Sequence, residues 1–331
     1  MAAYNAAQYI SESIQSILSQ SFKDFELLIV NDGSTDHTVD VIGNFVDPRI
    51  RLIHNNSNKG LVYTRNVALR EAKGEYIAVL DSDDIAMPER LENQYHFFIE
   101  NPDFALCGGH GIVIDSQGEK INDNRLYVPI VSEIIKMKLL FLNTFVNSTV
   151  MYKTAVLREL NGYREFAPAE DYEFFIRIAA KYPVANLDQI LVKYRDHQNN
   201  TSLKHEKAAR LKVIEIKRLQ LNRMGILSGD KITETFYSLL KWDFTGHSFT
   251  DYLSLLSQLR AANRAIKIYP VASFEKFLFD YWFLIIMIKK AKMNAITLLM
   301  NKKLYSWKNV EMRQLRKTIK LSLKGFGRLS T

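Results

Sequence analysis

The chain is expected to fold as an α/β protein with a mostly parallel sheet flanked by helices, followed by a C-terminal helical region. Three observations carry this expectation. Through roughly the first 115 residues, short apolar runs alternate with stretches of helical periodicity, the pattern of strands joined by crossover helices. Two acidic clusters, Asn31-Asp32 and Asp81-Ser82-Asp83-Asp84, directly follow such runs, at the carboxyl edge where open α/β sheets bind ligands. From about residue 203 the chain changes to long helical stretches with few turn signals. The division is therefore drawn as a first domain over 1–203 and a basic, mainly helical region over 204–331.

The elements follow in order. In Gln8–Ser19, Ile10, Ile14, Ile17 and Leu18 fall on one helical face. Phe25–Val30 is an apolar run that stops at Asn31-Asp32-Gly33-Ser34, a buried strand and its turn. A helix with Val39, Ile42 and Phe45/Val46 inward comes next, and Arg49–His54 alternates as a strand. Leu61–Ala72 reads as a helix, and Tyr76–Leu80 as a second buried strand ending at Asp81. Pro88 then opens a helix at its first position, with Glu89 in the first turn. Met1–Asn5 leads into the first helix with no apolar run before it. The first strand of the sheet is expected to be truncated, or to lie upstream.

The most apolar window, Phe277–Ile288, is closed by Lys289, Lys290 and Lys292. It is too short to cross a bilayer, which takes about 20 apolar residues. It is read as a helix buried in a C-terminal bundle, with an interfacial helix carrying snorkelling lysines as the alternative.

Composition bounds the setting. The chain has 331 residues, 47% hydrophobic and 24% charged, values that argue for a globular fold over disorder. Its one cysteine, Cys107, has no partner within the chain for a disulfide, which points to a reducing compartment. No signal peptide is expected at the N-terminus. The triplets at Asn55, Asn147 and Asn199 match the N-glycosylation pattern and are taken as chance matches. The net charge of +8 divides into −8 over residues 1–200 and +16 over 201–331. Such a basic half faces something anionic, a membrane or nucleic acid. No nucleic-acid-binding motif accompanies it, so an anionic membrane surface is the expected partner.

Three constellations carry chemistry. Asp81 and Asp83 project from the carboxyl end of a strand, where hard cations such as Mg²⁺ or Mn²⁺ take carboxylate ligands and share a diphosphate. The same residues are also ordinary turn and cap chemistry. In Asn31–Thr35, Gly33 permits a positive φ and Ser34 or Thr35 can cap a helix. That leaves Asp32, a carboxylate able to accept from the imide N–H of a pyrimidine. Glu170-Asp171 precedes the apolar pattern Phe174, Phe175, Ile178. Acids are favoured in a helix's first turn by the dipole, and a general base uses the same rigid location.

Taken together, the sequence resembles the family 2 glycosyltransferases, with their GT-A type of fold. The matching residues are Ala3-Tyr4-Asn5, Ser16–Ser21, Asp24–Ser34, Asn58-Lys59-Gly60 leading to Arg65-Asn66, Gly74–Ile77 running into Asp81–Asp84, and Glu170-Asp171. The resemblance covers roughly residues 1–200. It implies that Tyr4 and Asp32 bracket the nucleotide base, that Arg65 lies near the base or phosphates, and that Asp81 approaches the ribose and the metal. Asp83 would bind Mg²⁺ or Mn²⁺, and Asp171 would deprotonate an acceptor hydroxyl, giving inversion in one displacement. Glu170 would support it. Tyr194-Arg195-Asp196-His197 resembles a segment in which His197 helps hold the diphosphate.

The implied activity is transfer from a nucleotide-diphosphate sugar, UDP preferred, to a lipid-linked or polysaccharide acceptor in cell-surface glycan synthesis. The implied location is cytoplasmic, peripheral on the inner face of the cell membrane. A non-catalytic sugar-nucleotide or glycan-binding module is the alternative. A nucleotidyltransferase ranks lower, because Ala2–Ala7 has neither the glycine nor the lysine of a phosphate loop.

Overall fold

The computed structural model describes residues 1–197, 206–227, 229–241, 243–291 and 294–326. The chain divides into two compact units, residues 1–139 with 143–212 and residues 140–142 with 213–331. The expected boundary at 203/204, the triplet at Asn199 and Lys292 lie outside the described residues.

The first unit opens with β1 (Ala2–Ala3), α1 (Ile10–Leu18), β2 (Leu27–Asn31), α2 (Thr38–Gly43), β3 (Ile50–His54) and α3 (Leu61–Glu71). β1, β2 and β3 form a parallel sheet in which Ala3 is level with Asn31 and Asn31 with His54. The sequence showed no strand before α1, yet Ala2 and Ala3 pair with β2. Two small residues carry too little apolar signal to reveal a strand; the ladder itself, with Asp32 N–H donating to the Ala3 carbonyl at 2.8 Å, defines it. α1 packs Ile10, Ile14 and Ile17 into the core as its periodicity requires. α2 ends at Gly43, so Val46, expected inward, lies beyond the helix and is 99% exposed.

β4 (Tyr76–Ala78), β5 (Ile85–Ala86), α4 (Arg90–Glu100), β6 (Leu106–Ile114), β7 (Lys120–Leu126) and α5 (Ser132–Leu139) follow. After a single 3₁₀ turn (Asn147–Thr149) come β8 (Met151–Lys153), α6 (Thr154–Glu159), α7 (Glu170–Lys181) and β9 (Val184–Arg195). The helix expected from Pro88 begins two residues later. The second sheet has the order β4-β8-β6-β9-β5, with β7 beside β6.

The expectation of a mostly parallel sheet fails here. Only β6 and β9 run parallel; β4 with β8, β5 with β9, β6 with β7 and β6 with β8 are antiparallel. Apolar runs report burial and not direction, and the direction decides the site. Because β8 runs back along β4, the turn before β8 faces the segment after β4. Because β9 runs back along β5, the residues after β9 face those before β5.

The second unit is helical and contains most of α8 (Glu206–Arg223), then α9 (Asp230–Lys241), α10 (Phe249–Ile266), α11 (Val271–Ile288), α12 (Ala295–Leu299) and α13 (Met312–Phe326). Ser248 caps α10 in a reciprocal capping box with Asp251. The apolar window lies in α11 and is core: Leu278, Phe279, Trp282, Ile285 and Ile286 are buried, and Trp282 Nε1 donates to the Leu298 carbonyl at 2.8 Å. Leu284 and Ile288 of the same window are 37% and 46% exposed. Lys289 does not snorkel; its Nζ donates to the carbonyls of Phe244 and His247. Among the described residues no helix is long and apolar enough to cross a membrane.

Candidate active site

A cleft of about 720 Å³ opens at the carboxyl ends of β1, β2 and β4. Tyr4, Asp32, Arg65, Asp81, Asp83, Glu170 and Asp171 all line it. The register explains how residues far apart in sequence meet. Tyr4 and Asp32 are the next residues after the paired Ala3 and Asn31. Asp81 follows β4, Asp83 precedes β5, and Glu170-Asp171 form the first turn of α7, which Phe174, Phe175 and Ile178 anchor in the core.

Asp32 is buried and accepts three hydrogen bonds, from Asn55 Nδ2 at 2.7 Å and from the backbone N–H groups of Lys59 and Gly60 at 2.9 Å each. It pins the 55–60 loop at the cleft wall. Gly33 makes that close approach possible: φ is +68°, and a Cβ there would meet the Ser57 carbonyl carbon at 2.6 Å. Tyr4 lines the same cleft with half its surface exposed.

Arg65 links the two acidic groups. Its guanidinium pairs with Glu170 through Nη1 and donates to Asp81 Oδ1 through Nη2 at 3.1 Å. Burial opposes its charge, but Glu170 and Asp81 outweigh burial and raise its pKa. Asp81 also accepts from Asn147 Nδ2 at 3.0 Å and Ser148 Oγ at 3.2 Å. Burial favours its protonated form, and Arg65, Asn147 and Ser148 together reverse that, so its pKa is lowered.

Asp83 is in the opposite condition. Burial and the neighbouring Asp81 raise its pKa, with His197 opposing. His197 Nε2 lies 3.0 Å from Asp83 Oδ2, and its ring packs on Tyr9 at 4.9 Å. The structure therefore places His197 against the Asp83 carboxylate. The neighbouring Arg195 is fully buried. It donates to the Asp83 carbonyl (2.9 Å) and, through its backbone N–H, to Asp84 Oδ1 (2.8 Å), and it pairs with Glu12 at 2.8 Å. Arg195 thus fixes the turn that presents Asp83.

Asp171 is half-buried. Its carboxylate accepts from the Tyr172 N–H at 2.6 Å and from Asn143 Nδ2 at 3.2 Å. Burial and the adjacent Glu170 push its pKa up to about 7, with Arg65 opposing. A carboxyl poised there can hold or release a proton near neutrality.

Several site residues escaped the sequence reading. Two of the triplets taken as chance glycosylation matches build the cleft: Asn55 holds Asp32, and Asn147-Ser148 hold Asp81. The repeated pattern was a signal of short polar side chains in turns, read under the wrong heading. Asp84 and Arg195 lie inside the acidic cluster and the Tyr194–His197 segment, and their local sequence gives them no role of their own. Nothing in the sequence marked Asn143.

Comparison with known proteins gives the family and the fold. The family described as glycosyl transferase family 2 matches residues 1–160. The Escherichia coli protein WfaP, a UDP-Glc:α-D-GlcNAc-diphosphoundecaprenol β-1,3-glucosyltransferase, is 31% identical over 251 residues, covering 72% of this chain and 90% of WfaP. The chain is a family 2 glycosyltransferase. Among solved structures, S. aureus TarS 1–349 in complex with UDP-GlcNAc superposes with a TM-score of 0.57 at 20% identity, over 91% of this chain and 88% of that one. The mannosyltransferase PcManGT from Pyrobaculum calidifontis, in complex with GDP-Man and Mn²⁺, gives 0.54 at 15% identity, over 98% and 85%. These two share the GT-A-like fold with the glycosyltransferase. Family membership sets aside both the nucleotidyltransferase and the silent binding module.

Proposed function

We propose that the glycosyltransferase moves a hexose from a UDP-sugar to a hydroxyl of a lipid-linked diphosphate glycan, with inversion, at the inner face of the cell membrane. The observation that carries this reading is the half-buried Asp171 carboxyl, its pKa raised to about 7, beside the Arg65–Glu170–Asp81 network and on the wall of a cleft that Tyr4 and Asp32 also line. WfaP, named for UDP-glucose and a diphosphoundecaprenol acceptor, supports the substrate classes.

The charge of the cleft supports a divalent cation. Among the described lining residues, five are carboxylic acids and one, Arg65, is cationic. A diphosphate entering that field needs a compensating charge. No cluster of three or more acidic, histidine or cysteine side chains able to hold a metal occurs among the described residues. Mg²⁺ and Mn²⁺ suit such a site, since one or two carboxylates plus substrate phosphates suffice for Mg²⁺. Asp83, with Asp81 behind it, would hold the ion. When bound, the ion neutralises charge on the departing nucleotide.

The chain's own residues do the rest. Asp32 orders the 55–60 loop and offers its carboxylate toward the base imide. Arg65 keeps Asp81 ionised and holds Asp81 and Glu170 in place. Asp171 takes the proton of the acceptor hydroxyl as that oxygen attacks the anomeric carbon and the nucleotide leaves from the opposite face. One displacement inverts the configuration, and no covalent glycosyl-enzyme forms.

A donor screen tests this. UDP-glucose, UDP-N-acetylglucosamine and GDP-mannose are each added with and without Mn²⁺, and thermal unfolding is followed. A UDP-sugar with Mn²⁺ is expected to stabilise the protein by about 2–3 kcal/mol at a hundredfold excess over Kd. Stabilisation by GDP-mannose alone would overturn the UDP assignment, and equal shifts without Mn²⁺ would overturn the cation.

A further inference from the structure

Helix α13 presents three stripes. Gln314, Thr318 and Ser322, at i, i+4 and i+8, are buried, with Gln314 Nε2 donating to Asp280 Oδ1 at 2.7 Å and Thr318 Oγ1 to the Gln314 carbonyl at 2.8 Å. The inward stripe is thus polar. Met312, Leu315 and Ile319, at i, i+3 and i+7, form an apolar stripe outside it in which Met312 is 65% and Ile319 40% exposed and Leu315 is half-buried. Arg313, Arg316, Lys317 and Lys320, at i, i+3, i+4 and i+7, form an exposed cationic stripe. The helix contains no acidic residue, and the four cations make no ion pair among the described residues.

A helix packed only for stability turns its apolar stripe inward. Here the order is inverted, and the apolar stripe lies beside a cationic one. That pairing is the signature of a helix lying in a bilayer interface, apolar side chains among the acyl boundary and cations at anionic headgroups. Trp307, five residues before the helix, is 74% exposed, and tryptophan favours the same depth. A nucleic acid would use the cations and leave the apolar stripe in water.

We infer that α13 is a docking surface for an anionic phospholipid bilayer. The inference rests on the proposed lipid-linked acceptor, which such a bilayer would carry. It places the membrane contact on α13 and not on the apolar window of α11, most of which is buried in the core.

Cosedimentation of the full chain with vesicles tests it, using phosphatidylcholine alone and with about one third phosphatidylglycerol. Binding to the anionic vesicles only is expected. The double variant Arg316→Gln/Lys320→Gln is expected to bind on the order of thirtyfold more weakly, from the loss of two headgroup contacts. Ile319→Gln is expected to weaken binding about fivefold or more, from loss of an inserted apolar side chain. Lys302→Gln/Lys303→Gln, an equal charge loss on exposed residues outside the helix, is expected to retain most of the binding. The inference is overturned if this control loses as much as the α13 pair, if Ile319→Gln binds as the parent does, or if the parent chain binds single-stranded RNA but not vesicles. Stabilisation by a UDP-sugar with Mn²⁺, read on the same samples, separates the two readings: its failure beside intact vesicle binding counts against the donor assignment and not against α13.

Discussion

Replacing Asp171 with Asn is expected to lower turnover by about 10²–10⁴-fold while making the folded protein more stable. The two effects share one cause. Burial and Glu170 hold the Asp171 pKa at about 7 against its ordinary 3.8, so the native chain binds that proton more tightly than the unfolded chain. The sign follows from linkage. The penalty is absent below the ordinary value, grows as pH rises toward 7, and is complete above it. At about pH 8 the Asn variant is expected to gain roughly 1–3 kcal/mol, and at about pH 4 close to nothing. Asn can still accept from the Tyr172 N–H, so the helix start is preserved. Thermal unfolding at the two pH values, beside initial rates, checks the prediction. A variant that is inactive and destabilised at pH 8 would mean that Asp171 serves the fold.

Asp83→Ala is the second large effect expected, and it acts on a different step. Burial and Asp81 raise the Asp83 pKa, so removing this carboxyl relieves repulsion in the ligand-free protein. The unfolding midpoint without ligand is expected to stay level or rise. The Mn²⁺-dependent stabilisation by UDP-sugar is expected to vanish, a loss of about 2–3 kcal/mol at a hundredfold excess of donor. Turnover should fall at least about 10²–10³-fold, the usual scale when charge stabilisation of a leaving group is lost. Titration of Mn²⁺ in the presence of UDP, followed by calorimetry, separates this from misfolding. A variant that keeps a parent-like Mn²⁺ response would remove Asp83 from the metal site.

The contrast between the two acids shows what was legible in the sequence. Asp32, Asp81, Asp83 and Asp171 announced themselves because each follows an apolar run or opens an apolar helix, and such positions converge at one edge of an α/β sheet. Strands β2 and β3 and the helical nature of the C-terminal region were legible because their periodicity is strong; β1, two alanines long, was not. Pairing direction was not. The antiparallel return of β8 along β4 brings Asn147 and Ser148 to Asp81, and that of β9 along β5 brings Arg195 and His197 to Asp83 and Asp84. Those contacts span more than 60 residues of chain, and no local pattern encodes them.

In the second unit Phe277–Ile288 is the most apolar window, and most of it is buried in the bundle, as its length predicts. The helix with an outward apolar stripe, α13, is less apolar along its length and announces itself only once its polar stripe is seen to be buried. Hydrophobicity summed over a window reports burial; which stripe faces outward needs the fold.

The most direct test of Asp171 as the proton acceptor is the pH dependence of kcat/KM with UDP-glucose and a synthetic GlcNAc-diphosphate lipid, since that ratio reports ionisation of the free enzyme. A limb falling tenfold per pH unit on the acid side, with an apparent pKa near 7, is expected for the parent chain. Residual activity of the Asp171→Asn variant is expected to lack that limb. A parent profile that stays flat from about pH 5 to 8 would contradict the assignment, because the group holding the acceptor's proton would then titrate elsewhere.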